Sequence, residues 1–162
     1  MQRSGPFRVH SVTTEDAESL TLDTEVILPD NFHITSPENE ILIAEGQIFS
    51  RVNGAWVKEN LDAESITSSL TSNFSDQAIQ GINAACPEGS GNINGEPVHV
   101  YSYQTSVKLS GTPVTTANQI WISDTSGLPL RLEISTLADG LQSLTVQDFT
   151  YDLSIEIDVP TP

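Results

Sequence analysis

One cysteine in 162 residues excludes an internal disulfide. Cys86 stands in Ala84-Ala85-Cys86-Pro87, with no second thiol and no basic side chain beside it. It reads as a structural or loop thiol and not as a nucleophile. Cations are scarce as well: six Lys and Arg face 22 Asp and Glu, for a net charge of −16. Arg3, Arg8, Arg51, Lys58, Lys108 and Arg131 are scattered along the chain. Nucleic-acid binding needs a clustered basic footprint, so that class is excluded. Polybasic attachment to anionic lipid heads is excluded for the same reason. The acidity has two readings: solubility, or an acidic patch for a basic partner or Ca²⁺, although no EF-hand loop is present. No apolar run approaches the ~18 residues of a membrane-spanning helix. The longest, Ile41–Ala44 and Ile120–Ile122, are strand-sized. The start, Met1-Gln2-Arg3-Ser4-Gly5, lacks the apolar core of a signal peptide.

Catalytic and cofactor motifs are missing too. His10, His33 and His99 fall in three separate predicted strands without HxxxH or HExxH spacing, which makes them strand-surface residues and not metal ligands. No serine lies in GxSxG. There is no Walker loop and no GxGxxG; Gly89-Ser90-Gly91 is an isolated loop. Asn73-Phe74-Ser75 has the form of a glycosylation sequon, but Phe74 belongs to a predicted apolar helix face, which argues against its use. The expectation is a protein that is not an enzyme and takes no cofactor and no metal.

What the chain does have is the size of one domain, residues 1–162, and 37% hydrophobic residues, too many for a disordered polypeptide. Period-two alternation dominates. Leu20, Leu22, Val26 and Leu28 share one parity, and Asp23 and Glu25 the other. Leu128 to Ile134 alternates in the same way, as does Phe149 to Val159. Such alternation marks antiparallel strands with one buried and one wet face. Val98–Gln104 and Gln119–Ser123 add β-branched and aromatic strands. Asn53-Gly54 and Asp139-Gly140 are type I′ hairpin signals, and Asn94-Gly95 and Ser126-Gly127 mark further reversals. Pro29-Asp30-Asn31 separates the second strand from Phe32–Ser36. The sum is a meander of nine or ten strands.

One stretch departs from that period. Asp62 is placed to cap a helix with Glu64 in its first turn. Ile66, Leu70 and Phe74 then recur at helical spacing, and Ser75 opens a second helix carrying Ile79 and Ile82. Cys86–Asn94, rich in Gly and Pro, reads as a loop. A sheet that is wet on one face must bury the other, and two short helices cover it only if it curls around them. Either an apolar concavity or a fully packed core results. Trp121, between Ile120 and Ile122, reads first as core, and Trp56 as a half-exposed hairpin residue.

The order of segments resembles the LolA-like lipoprotein-carrier superfamily. The run Leu28-Pro29-Asp30-Asn31-Phe32-His33-Ile34-Thr35-Ser36-Pro37-Glu38 carries the resemblance, with Ile41-Leu42-Ile43-Ala44-Glu45-Gly46-Gln47-Ile48-Phe49 after it. Asn94–Tyr101, Gln119–Ser123, Gly127–Glu133 and Phe149–Pro160 resemble the LppX/LprG and related outer-membrane lipoprotein-sorting branch. Where the carrier itself has an arginine before the proline, latching its lid, this chain has Leu28. The family's N-terminal helix is represented only by Met1-Gln2-Arg3.

The resemblance implies a mainly β (α+β) fold, a curled, unclosed antiparallel β-barrel wrapped around short α-helices. It implies an apolar concavity for the acyl chains of a lipid or acylated lipoprotein, in a monomer on the extracytoplasmic side of a bacterial envelope. The protein would be a soluble carrier or an anchored lipoprotein, and an envelope receptor would be a further partner. The residues expected to line the concavity are Leu22, Val26, Leu28, Trp121, Leu130, Leu132 and Leu153 from the strands, with Ile66, Leu70, Phe74 and Ile79 from the helices. The alternative is a ligand-free structural or sensory interaction domain, distinguished by a packed interior.

Overall fold

The computed structural model describes residues 5–74, 86–109, 112–138 and 140–160. Eleven strands form one sheet: β1 (Phe7–Glu15), β2 (Glu18–Ile27), β3 (Asn31–Thr35), β4 (Glu40–Ala44), β5 (Gln47–Val52), β6 (Ala55–Glu59), β7 (Cys86–Ile93), β8 (Glu96–Leu109), β9 (Thr112–Ser123), β10 (Pro129–Ala138) and β11 (Leu141–Tyr151). Among the described residues there is one helix, α1 (Ala63–Phe74), after β6. The strand order is β6-β5-β4-β3-β2-β1-β11-β10-β9-β8-β7. β6 and β7 are the two edges, so the sheet is unclosed. The fold class is therefore the expected one, mainly β and antiparallel with few helices.

Turn chemistry sets the hairpins. Asn53 and Gly54 both adopt positive φ (50° and 82°), as do Asn94 and Gly95 (52° and 89°). That is the type I′ geometry whose twist matches the flanking strands. The 124–127 reversal is held differently. Ser123 Oγ accepts the backbone N–H groups of Thr125 (3.1 Å) and Ser126 (2.9 Å) and donates to Glu96.

Two segments depart from the sequence expectation. Residues 86–93, read as a loop, form β7. As an edge strand it tolerates Pro87, whose missing N–H breaks no central ladder, and its register shifts between Pro87 and Gly89. β11 stops at Tyr151 and does not run on to Val159. Asp152 Oδ1 accepts both the N–H (2.9 Å) and the hydroxyl (2.6 Å) of Ser154, an Asx turn that ends the strand. The second predicted helix, with Ile79, lies outside the described residues.

The chain divides into two compact units. Among the described residues the first takes 5–10, 22–74 and 150–160, and the second takes the rest. In the first unit, Val26, Phe32, Ile43 and Ile48 are paired in register across β2 to β5 and are all but fully buried. The opposite face of the same strands carries Leu42, Ala44 and Phe49, buried together with Ile155 and Ile157. Ile27, Trp56 and Val159 pack around that cluster. In the second unit the buried positions include Val98, Ile120, Asn118 and Ser123. Asn118 Nδ2 donates to Thr116 Oγ1 (3.0 Å) and to the Tyr103 carbonyl (3.4 Å), which satisfies a buried amide.

Candidate functional site

An apolar groove of about 290 Å³ lies in the first unit. Its residues follow from register. A two-residue turn at Glu45-Gly46 sets Ile43 opposite Ile48 and Ile41 opposite Ser50. β3 then adds Ile34 opposite Ile41. Side chains alternate along a strand, so these residues share one face. Ile66 and Leu70, one helical turn apart on α1, close the groove, with Leu61 from the preceding loop. α1 begins where the sequence predicts. Asp62 Oδ1 accepts the Glu64 N–H at 3.1 Å, an N-cap, and Thr67 Oγ1 donates back to the Ala63 carbonyl at 2.9 Å. Ile43 and Ile48 form a buried floor, whereas Leu61 is 61% exposed and Ile66 37%. The groove is at the lower end of the ~300–1,000 Å³ found for small-molecule sites. Its polar members are Ser50 and Glu59, joined by a hydrogen bond from the Ser50 hydroxyl to the carboxylate.

A larger hollow of about 530 Å³ lies in the second unit. Tyr103, Ala117 and Leu144 line it together with Glu88, Gln119 and Glu133, and Ser102 donates to Glu88. An apolar ligand there would strip water from carboxylates and amides without replacing their hydrogen bonds, so the almost wholly aliphatic groove of the first unit suits an acyl chain better.

Of the residues expected to line a concavity, the structure brings Ile66 and Leu70 together in the groove. Val26 is fully buried beside Phe32, in the layer that continues the groove floor. Leu22 is half-buried on β2, and Leu28 is 37% exposed just before the cis Leu28-Pro29 bond. Phe74 ends α1, and its side chain lies outside the described residues, as does Ile79. In the second unit Trp121 pairs with Arg131 while Leu132 pairs with Ile120. Adjacent pairs on one ladder point to opposite faces, so Trp121 and Leu132 do not line a common wall. Leu130 sits at the register shift between Pro129 and Arg131. Leu153 is 84% exposed, turned outward by the Asx turn. Sequence reasoning missed Ile34, Ile41, Ile43, Ile48, Ser50, Glu59 and Leu61.

The face opposite the groove carries a chain of charges. Arg8 Nη2 donates to Glu25 Oε1 at 2.6 Å. His33 places Nδ1 3.2 Å from Glu25 Oε2 and Nε2 2.9 Å from Glu40 Oε1. Arg51 Nη1 donates to Glu40 Oε2 at 2.9 Å, and its guanidinium lies 5.6 Å from the Trp56 ring centre. Trp56 also meets His33 edge-on at 6.3 Å. The other histidines are paired as well, His10 with Asp23 at 2.7 Å and His99 with Asp124. Among the described residues no cluster of three or more His, Cys, Asp or Glu could hold a metal.

At Glu25 burial raises the carboxyl pKa, but the hydrogen bonds from Arg8 and His33 together outweigh it and the net shift is downward. At Glu40 the His33 bond leads, burial opposes it, Arg51 adds to it, and the net shift is again downward. A lowered folded-state pKa stabilises above the unfolded value and is lost as pH falls through the folded one. Melting temperature is therefore expected to fall as pH drops below about 4.3. Glu40→Gln should flatten that fall. Identical melting profiles for wild type and variant between pH 3 and 7 would contradict the assignment.

No family model matches the sequence, and no curated protein does. The fold is similar to the crystal structure of LprF from Mycobacterium bovis, with a TM-score of 0.64 at 18% identity. The similarity covers 98% of this chain and 91% of that one. No helix among the described residues is long and apolar enough to cross a membrane.

Proposed function

We propose that this protein binds acyl chains of a lipid or lipoprotein in the groove beneath α1, without catalysis, on the extracytoplasmic side of a bacterial envelope. The observation that carries the reading is the groove itself: an aliphatic floor, an aliphatic helix above it, and an apolar rim left in water at Leu61 and Ile66. Exposed apolar rims of this kind mark binding grooves. The LprF-like fold and the LolA-like order of segments support the same reading. Burial supplies the affinity, at about 0.8 kcal/mol for each methylene removed from water.

The test is titration with a fluorescent acyl probe that has an uncharged head, alongside circular dichroism melting. Ile66→Asp puts a carboxylate where water still reaches it, so stability should change by only about 1 kcal/mol. Probe binding should weaken about tenfold or more. No probe binding by the wild type, or equal binding by Ile66→Asp, refutes the reading. The first outcome favours a ligand-free interaction domain.

A further inference from the structure

The groove contains one group that an acyl tail does not need. Glu59, the last residue of β6, lines it, and its register partner is the floor residue Ile48. The partner of its carboxylate among the described residues is the neutral hydroxyl of Ser50. Lys58 beside it pairs with Phe49 and so projects to the other face, and Arg51 is engaged by Glu40. An ionised carboxylate offers about four lone-pair sites. The Ser50 hydroxyl fills one of them; Glu59 is half-buried, so solvent meets the others, and the aliphatic lining among the described residues offers no donor to replace that solvent when an acyl chain enters.

Resting on the acyl-binding reading above, we infer that Glu59 selects acyl chains whose head is uncharged and donates hydrogen bonds, and that it rejects fatty-acid anions. A donor head, the N–H of an acylamide or the hydroxyl of an acylglycerol, replaces the displaced water with a charge-assisted hydrogen bond. A carboxylate head instead brings a second negative charge into a groove whose described lining holds no cation, where low polarity strengthens the repulsion. The remaining net charge of the chain repels anions only diffusely and through solvent, which screens it over about 8 Å at physiological salt.

The experiment is displacement of the uncharged acyl probe by palmitamide, 1-palmitoylglycerol and palmitate at one pH and ionic strength. For the wild type at least one uncharged ligand should bind about tenfold more tightly than palmitate. Palmitamide ahead of the glyceride assigns an N–H head, and the reverse order assigns a hydroxyl head. Glu59→Gln should bring palmitate to within about twofold of the tighter uncharged ligand. Glu38→Gln, which removes the same charge at an exposed loop position, should leave the wild-type ratio in place. Equal binding of all three ligands by the wild type overturns the inference and leaves acyl binding standing. So does an equal shift of the ratio in both variants. Absence of probe binding overturns both together. If Glu59→Gln does not fold, the wild-type ratio alone decides.

Discussion

Phe32→Ala is expected to cost about 3–5 kcal/mol of stability, the range for emptying a buried aromatic site. Phe32 is 0% exposed and sits in register between Val26, also 0% exposed, and Ile43 at 1%. Three backbones fix its neighbours, so the site cannot collapse by moving one loop. A domain of this size is stable by about 5–15 kcal/mol in all, so the loss is a large fraction of the total. At roughly 2–4 °C for each kcal/mol, the melting temperature should fall by about 10 °C. Leu20→Ala on β2, where the side chain is 53% exposed, is the control and should stay within about 0.5 kcal/mol. Urea unfolding of the three proteins measures both. A loss below about 1 kcal/mol for Phe32→Ala would mean that the layer continuing the groove floor is loosely packed.

That layer shows why part of the fold, and Ile66 and Leu70 on the helix side of the groove, were legible in the sequence and the strand floor was not. Asn53-Gly54 and Asn94-Gly95 announce their hairpins because only residues that tolerate positive φ can make them. Asp62 announces α1 because its carboxylate caps the first turn. The groove depends on which isoleucines meet, and that follows from pairing and not from composition. The two-residue turn at Glu45-Gly46 sets Ile43 opposite Ile48, and the rest of the floor follows in register from that turn. The alternating run Leu128–Ile134 points to Leu132, and Trp121 stands out as a large aromatic in another strand, but neighbouring ladder pairs send the two to opposite faces. Edge position was equally hidden. Cys86–Ile93 has the composition of a loop, yet an edge strand needs partners on one side only.

The run after Tyr151 exposes the limit of alternation as a signal and leads to the second large effect. Leu153, Ile155, Ile157 and Val159 keep period two, but the Asx turn at Asp152 has already ended the ladder. Leu153 is turned into water, while Ile155 and Ile157 fall to 6% and 9% exposed against Leu42, Ala44 and Phe49. Residues 155–159 therefore form a strap over the face opposite the groove, and β4 and β5 lie between the strap and the groove. Ile157→Asp should remove an aliphatic side chain from that layer and bury a carboxylate among Leu42, Ala44 and Phe49. The two costs together should exceed about 3 kcal/mol and unfold the first unit at temperatures the wild type survives. Leu153→Asp, the same chemistry four residues earlier, should change stability by no more than about 0.5 kcal/mol because water already surrounds that position. Thermal melting of the pair separates a strap from a strand. If alternation alone governed the segment, the two substitutions would cost alike. A strap predicts one near-neutral variant and one that fails, and probe binding should be lost with the second, because β4 and β5 supply the groove floor at Ile43 and Ile48.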